Sequence, residues 1–423
     1  MQPDTDPIVI TGMGAVSPLG VGVDGNWRAL MAGKSGIVMN DRFDVGDFAA
    51  KIAGLVPGKD APNGFDPTKY IDPKDIKKMD VFIQYGLGAA AEALAQSGWV
   101  ADTPEKQAVT ATIIGSGVGG SPVMAEAVDT IRDKGPRRLS PFTVPSFLAN
   151  LAAGWISIKY GFKGPIGAPV TACAASAQAI GDGMRLIRTG EAEIVVCGGA
   201  EGSVDPISIG GFAASRALNT SFNDRPTEAS RPFDKGHAGF VLAEGAAVVV
   251  IERLSHARAR GATPLAIAAG YGTSADAYHL TSGSPDGAGA QVAMRQAVRN
   301  AGITPDDIGY VNAHATSTEV GDNAEINGIR NLFGDRGQSL AVSSTKSSTG
   351  HMLGAAGAIE AVFSVLALRH QMLPPTLNLV DPEPVAAQFD LVPLKAKPKA
   401  LKHVLSNSFG FGGVNAALVF SAI

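Results

Sequence analysis

The sequence predicts an α/β protein in which mostly parallel strands are covered by helices on both faces. Apolar runs rich in β-branched residues alternate with helical patterns along the chain, which is typical of such sheets. Charged residues make up only 17% of the 423 residues and hydrophobic residues 45%, and there are 52 glycines. Buried surface and tight turns are therefore abundant, which excludes a disordered or fibrous chain.

Seven short apolar runs are the candidate strands. They span residues 8–11, 111–114, 194–197, 246–251, 308–312, 340–343 and 416–420. The favoured internal boundary lies near 255–263, where a charged helical stretch ends at Gly261 and a new apolar strand starts at Leu265. The chain is therefore expected to divide into an N-terminal half, 1–255, and a C-terminal half, 256–423.

The two halves share one pattern around a reactive side chain. In the first half, a β-run over 167–171 turns at Cys173 into a helix that Gly190 ends. In the second, a strand leads through a Ser/Thr/Gly-rich turn to His351 and then into a helix that runs to about His370. Both helices begin with small residues that permit close backbone approach. This correspondence favours a duplicated fold with two buried helices facing each other.

The composition also limits the cellular location and the binding partners that we expect. The net charge of −4 provides no global basic field for nucleic acid, and two cysteines give no disulfide framework, which suits a reducing cytosol. Residues 1–6 are acidic where a secretory signal is basic. The apolar segment 354–368 carries Glu360 and is shorter than the ~20 residues needed to cross a bilayer. We expect a cytoplasmic protein without nucleic-acid binding or membrane insertion.

Cys173 is the first candidate for chemistry. A thiol at a helix N-terminus meets unpaired N–H groups and the positive end of the dipole, which favour the nucleophilic thiolate. Cys197 lies within an apolar run and is interpreted as a structural residue.

Two histidines and a glycine-rich segment complete the candidate site. His314 follows a predicted strand, where α/β sheets bind ligands, and His351 follows a polar turn. No metal-ligand spacing accompanies them, so no metal is expected. Glycine-rich backbone at 407–415 can direct N–H groups at an oxyanion, with aromatic rings beside it.

These motifs together resemble the condensing enzymes, and among them the β-ketoacyl-[acyl carrier protein] synthases of type II. The motifs are TAC at 171–173, NAHATST at 312–318, STKSSTGH at 344–351 and NSFGFGG at 407–413. The resemblance covers practically the whole chain. It implies the thiolase-like fold, with duplicated halves in a five-layer αβαβα sandwich, and a homodimer.

The resemblance also implies roles for individual residues. Cys173 matches the acyl-accepting nucleophile, and His314 and His351 match the pair that serves decarboxylation and condensation. Lys346 and Glu360 match a supporting charged pair. The oxyanion hole matches the N–H groups of Cys173 and Phe411. Positions that match substrate contacts are Thr316, Thr318, Val118, Phe212, Phe409 and Phe411.

The implied reaction is a decarboxylating Claisen condensation of an acyl thioester with malonyl-[acyl carrier protein] in fatty acid elongation. It needs no metal or organic cofactor, because the substrates are carried on the phosphopantetheine of acyl carrier protein. Basic residues at positions that match carrier-protein docking are Lys74, Lys77, Lys78, Arg137, Arg138 and Arg216.

Several alternatives stay open from the sequence. Residues 174–176 (AAS) look partly like a type I synthase, and a specialised polyketide or lipid ketosynthase would carry the same motifs. A papain-like thiol hydrolase would leave the second histidine without a role, and a degradative thiolase needs a second reactive cysteine. A non-catalytic chain-length factor is disfavoured because Cys173, His314 and His351 are all retained.

Overall fold

The computed structural model describes residues 5–334 and 336–423. The first four residues, part of the acidic N-terminus considered above, lie outside the described residues. The strands are β1 Ile8–Ser17, β2 Gly20–Val21, β3 Ile37–Met39, β4 Ile52–Gly54, β5 Thr110–Gly115, β6 Ile166–Gly167, β7 Ile194–Glu201, β8 Gly245–Arg253, β9 Ala266–Ala275, β10 Ile308–Asn312, β11 Ala341–Ser343, β12 Met372–Leu373, β13 Lys397–Pro398, β14 His403–Gly410 and β15 Val414–Ser421.

The helices include all those expected from the sequence. They are α1 Val23–Met31, α2 Pro73–Ile76, α3 Val81–Ser97, α4 Pro104–Ala108, α5 Ser121–Lys134, α6 Thr143–Phe147, α7 Leu151–Tyr160, α8 Ala175–Thr189, α9 Pro206–Ala214, α10 Leu254–Ala259, α11 Ala288–Asn300, α12 Glu319–Phe333, α13 Lys346–Thr349 and α14 Ala356–His370. Gly190 ends α8 in the left-handed conformation, as predicted.

The main sheet repeats one strand order twice. Its path is β11-β10-β14-β15-β9-β1-β8-β7-β5-β6, so in each half the five strands lie in the order third, second, fourth, fifth, first. The third, second and fourth strands run parallel and the other neighbours antiparallel, again in both halves. The duplication is confirmed. The expectation of mostly parallel strands is wrong, because the fifth strand in each half returns beside the fourth without a crossover.

Alternating residues of each half-sheet face two different cores. In β7, Val195 belongs to the central core and Val196 to an outer core, and in β14 Val404 and Leu405 divide in the same way. The central core contains α8 and α14, while α3 lines one outer core and α11 and α12 line the other. The layers are therefore helix, sheet, helix, sheet, helix, as predicted.

The most apolar helical segment lies inside this central layer. Leu353–His370 is long and apolar enough by composition to cross a membrane, but 89% of it is buried within the fold. Every residue of α14 from Ala356 to Leu368 is buried. Its apolar character is explained by packing against sheets on both sides.

The central helices begin with matching turns. A 3₁₀ turn, Ala172–Ala174, precedes α8, and another, Leu353–Ala355, precedes α14, and both helices have 15 residues. The first residue of each turn is in the left-handed region, with φ of 48° at Ala172 and 43° at Leu353. We call these turn 1 and turn 2. The β-run predicted at 167–171 is wrong beyond Gly167, because the chain leaves the sheet there to form turn 1.

Candidate active site

Cys173 is the middle residue of turn 1 and lies almost fully buried in front of α8. The residue before it, Ala172, is in the left-handed region, so Cys173 lies on a tight turn into a helix, similar to the nucleophile turns of hydrolases. Cys197, by contrast, is completely buried within β7, as predicted for a structural cysteine.

Both predicted histidines reach this cysteine from the C-terminal half. His351 Nε2 lies 2.9 Å from the Cys173 Sγ. The imidazole rings of His314 and His351 are 5.3 Å apart and nearly perpendicular. His314 also contacts Phe409, and His351 contacts Phe240. The nucleophile of one half and the imidazoles of the other therefore form one cluster.

Burial dominates the titration of the thiol. It raises the pKa of Cys173 to about 12, although the Lys346 ammonium and the backbone N–H groups of Phe411 and Cys173 act in the opposite direction. The sequence favoured a stabilised thiolate. In the folded protein, the cost of desolvating a charged sulfur outweighs the nearby positive groups, so the thiol is the resting form at neutral pH.

The two histidines are neutral at physiological pH. Burial and the Lys346 ammonium lower the pKa of each imidazole well below its usual value, and His351 lowers that of His314 further. Among the described residues, neither Nδ1 atom has a hydrogen-bond partner. A proton on Nδ1 would therefore lack an acceptor, which favours protonated Nε2 atoms.

Lys346 and Glu360 form a completely buried ion pair beside the histidines. Lys346 begins α13, and Glu360 lies in the second turn of α14. Burial raises the pKa of Glu360 to about 7, and Lys346 opposes this shift. The sequence resemblance implied the pairing, and the fold places the two charges in contact.

Glu325 is a functional neighbour that sequence reasoning missed. Its carboxylate accepts the backbone N–H groups of His314 at 2.9 Å and of Ala315 at 2.7 Å, and the Asn407 amide at 2.9 Å. It thus fixes the loop that carries His314. Glu325 lies on α12, and no local pattern in the sequence marks it, because its partners are backbone N–H groups and a side-chain amide of other segments.

A cavity of about 600 Å³ opens onto the cluster, a size ordinary for organic substrates. The six predicted substrate-contact positions all line it: Thr316, Thr318, Val118, Phe212, Phe409 and Phe411. The hydroxyls of Thr316 and Thr318 lie 3.1 Å apart, and the rings of Phe212 and Phe411 lie 6.2 Å apart. His237 also lines this cavity.

The predicted basic residues differ in their surroundings. Arg216 lines the cavity, whereas the other five do not. Lys74 pairs with Asp72 and Lys78 with Asp75, which reduces their free positive charge. The remaining three, Lys77, Arg137 and Arg138, are exposed.

By distance alone, Cys173, His314 and His351 could hold a metal ion, since their ligand atoms lie within 4.8 Å of one another. The sequence predicts no metal, and this expectation stays a prediction.

A duplicated α/β fold, with a thiol and two imidazoles where its halves meet, defines the class of thiolase-like enzymes. Family models agree in detail. Residues 5–257 match the N-terminal domain of beta-ketoacyl synthases, and residues 265–380 match the C-terminal domain. The chain belongs to the beta-ketoacyl synthase family and is a condensing acyltransferase.

Individual relatives extend this match over nearly the whole chain. The 3-oxoacyl-[acyl-carrier-protein] synthase 2 of Rhizobium meliloti is 49% identical over 97% of this chain and 98% of its own length. A beta-ketoacyl synthase from Burkholderia phymatum has a TM-score of 0.91 at 32% identity, covering 99% of this chain and 100% of its own. A type II PKS acyl-carrier protein in complex with its ketosynthase has a TM-score of 0.89 at 31% identity, with complete coverage of both chains.

Proposed function

We propose that the cavity condenses an acyl thioester with malonyl-[acyl carrier protein] in fatty acid elongation, losing CO₂ and passing through an acyl-Cys173 intermediate. The observation that carries this proposal is the buried thiol facing two neutral imidazoles, with 2.9 Å between Cys173 Sγ and His351 Nε2. A hydrolase would need one histidine, whereas decarboxylation uses both.

In the first stage, Cys173 Sγ attacks the acyl thioester carbonyl, and the oxygen that becomes negative is bound by the N–H groups of Cys173 and Phe411. Each such donor contributes about 3–4 kcal/mol in comparable acyl transfers. His351 Nε2–H stabilises the sulfur as charge develops on it. The thiol proton leaves with the departing pantetheine thiol.

In the second stage, malonyl thioester loses CO₂ and leaves an enolate. Its oxygen needs two neutral N–H donors, which His314 and His351 supply from Nε2. Imidazoles with a strongly lowered pKa keep this neutral form throughout the physiological range. The carbanion then attacks the acyl-Cys173 carbonyl and expels the Cys173 sulfur as a thiolate, which takes up one proton from solvent to regenerate the thiol.

The buried pair of Lys346 and Glu360 supports this stage by its field. Burial and the Lys346 ammonium both disfavour imidazolium, so the two donors stay neutral. Glu360 compensates the lysine charge in a buried site.

The cavity divides between the two substrates. Val118 and Phe212 form the wall for the acyl chain, and Phe411 separates that chain from the malonyl group, while Phe409 contacts the His314 ring. Thr316 and Thr318 bind the pantetheine arm through their hydroxyls.

Acyl carrier protein is the proposed partner, in line with the carrier-bound ketosynthase among the structural neighbours. An acidic carrier would be steered by Lys77, Arg137 and Arg138, while Arg216 meets the arm at the cavity. The chain would need no further cofactor.

A homodimer and a cytoplasmic location complete the proposal. The short strand β6 lies at the edge of the sheet, and Ile158, Ile166 and Val170 near it are more than half exposed, so a second copy could cover this edge. Two free buried cysteines suit a reducing compartment. We also place the division between the halves at residue 255.

Mass spectrometry and CO₂ release together test the function. Exposure to a long acyl thioester should add one acyl group at Cys173, and malonyl-[acyl carrier protein] should then discharge it with release of CO₂ and formation of a β-ketoacyl product. Discharge by water without malonyl would identify a hydrolase and overturn the proposal.

A further inference from the structure

Turn 2 holds no nucleophile, because its central residue is Gly354. The Gly354 N–H instead donates to the Glu201 carboxylate at 3.0 Å. The same oxygen, Oε2, accepts the Gly117 N–H at 2.7 Å. A carboxylate of the protein itself therefore occupies the position in front of turn 2.

Glu201 and Gly410 are equivalent in the duplicated fold. Glu201 is the last residue of β7 and Gly410 the last of β14, and the two strands have the same length and the same neighbours in order. A Cβ on Gly410 would lie 3.2 Å from the Cys173 N. Gly410 has no side chain, so it leaves open the space in front of turn 1. The Glu201 side chain fills the equivalent space in front of turn 2.

The other oxygen of Glu201 binds the segment that forms the acyl-chain wall. Oε1 accepts the hydroxyls of Ser116 at 3.2 Å and Ser203 at 2.9 Å. Ser116 Oγ in turn accepts the Gly119 N–H at 2.9 Å. The two neighbours of Val118 are therefore both held by Glu201, Gly117 directly and Gly119 through Ser116.

Glu201 is completely buried, and among the described residues it forms no ion pair. Burial raises the pKa of Glu201, and the hydrogen bonds from Gly117, Gly354, Ser203 and Ser116 act in the opposite direction. Buried anions without a cation are costly unless they are hydrogen-bonded in this way.

We propose that Glu201 is a positioning residue, a buried carboxyl group that joins turn 2 to segment 116–119 and so fixes both the acyl-chain wall at Val118 and the backbone that follows His351. The part concerning the acyl chain rests on the proposed function. The part concerning the backbone does not, since it can be measured without substrate.

Amide hydrogen exchange of Glu201→Ala tests the backbone part. We expect faster exchange in 116–119 and 353–356 together, at least tenfold, and its reversal by millimolar formate, which can replace the carboxylate. The matched control is Glu92→Ala, because Glu92 also accepts two backbone N–H groups, those of Ala15 and Val23. It should change exchange only near those residues.

Chain-length kinetics test the second part. For Glu201→Ala, the KM for a long acyl thioester should rise severalfold more than that for acetyl, and formate should restore the ratio. Glu201→Asp, whose side chain is one carbon shorter, should show a smaller effect in the same direction. This variant replaces Glu201→Ala in both experiments if the alanine variant does not fold. Exchange that rises evenly across the protein, or exchange that formate leaves unchanged, would overturn the proposal. An unchanged chain-length ratio with the expected exchange would reject only the acyl-wall role.

Discussion

Turn 1 and turn 2 have nearly the same backbone conformation, but they differ in their central residue and in what lies in front of them. Both lead from a left-handed residue through a 3₁₀ turn into a 15-residue buried helix. Turn 1 carries a thiol and faces an open cavity, whereas turn 2 carries glycine and faces a carboxylate. The Gly354 N–H shows that such a turn can bind a carboxyl oxygen. The two turns therefore differ both in their central residue and in what fills the space in front of them.

The two halves also divide the chemical groups between them. The N-terminal half contributes Cys173 and the C-terminal half contributes both imidazoles and the Phe411 N–H. Neither half contains a complete site. The duplicated fold has become asymmetric at the residues in front of each turn while its strand order has stayed the same.

The largest effect should come from removing the Cys173 thiol from turn 1. Cys173→Ala should reduce condensation by at least about 1,000-fold, because the acyl group has no other nucleophile. Cys197→Ala should leave turnover largely intact. The measurement is malonyl-dependent CO₂ release, with the folded state checked by thermal unfolding. Inactivation by iodoacetamide through labelling of Cys197, with Cys173 spared, would reverse the assignment.

Removing an imidazole should cripple one stage more than the other. His314→Ala and His351→Ala should each lower malonyl decarboxylation by about 100-fold or more, the usual cost of one oxyanion donor. Acylation of Cys173 should persist in part, as measured by mass spectrometry of the acyl adduct. Complete loss of acylation in both variants would instead make an imidazole an obligatory general base.

The pH dependence of alkylation distinguishes a protonated Cys173 thiol from a stabilised thiolate. With burial raising the pKa of Cys173 to about 12, only a small fraction is thiolate at pH 7, and this fraction grows tenfold per pH unit. The alkylation rate of Cys173 by iodoacetamide should therefore rise about tenfold per unit from pH 7 to 10. A rate that is constant above pH 8 would indicate a stabilised thiolate.

Adding a side chain to turn 2 should destabilise the protein. A Cβ on Gly354 would lie 2.1 Å from the Gly117 N, so Gly354→Ala should lower the free energy of unfolding by about 3 kcal/mol. Gly25→Ala is the control, because Gly25 lies within α1 and its nearest contact would be 3.8 Å away. Denaturant unfolding measures both. Equal stability of the two variants would mean that turn 2 is not closely packed.

The smallest effect concerns the surface of the N-terminal half. Reversing the charge of Lys77, Arg137 and Arg138 together should raise the apparent KM for carrier-bound substrate severalfold, since exposed charges mainly steer association. Turnover of a short pantetheine thioester should change little and serves as the control. If both substrates lose activity equally, or if moderate salt has no effect on the carrier-bound reaction, these residues do not form the docking surface.

Much of the fold could be predicted because strands and helices have local signatures. All seven predicted strands exist, and 308–312 has the predicted bounds. Strand direction was the error. Parallel and antiparallel pairing depend on connections between distant segments, such as β7 with β8, and an apolar run is alike in both.

The residues of the site also divide into those that the sequence predicted and those that it did not. Cys173, His314 and His351 could be found because each lies at the end of a predicted element, and the fold brings them together. Glu201 and Glu325 could not, because their partners are backbone N–H groups that become neighbours only after folding. The thiol pKa was misjudged because helix position is visible in a sequence and burial depth is not.

The central position of β1 has a consequence for synthesis of the chain. All ten residues of β1 are buried, and apart from the two residues of β2 its partners are β8 and β9, made more than 200 residues later. At about 5–20 residues per second, the ribosome needs roughly 10–50 s to produce them. During that interval an apolar strand without its main partners is exposed to other nascent chains. We therefore expect chaperone protection of residues 8–17 during synthesis to raise the yield of folded protein.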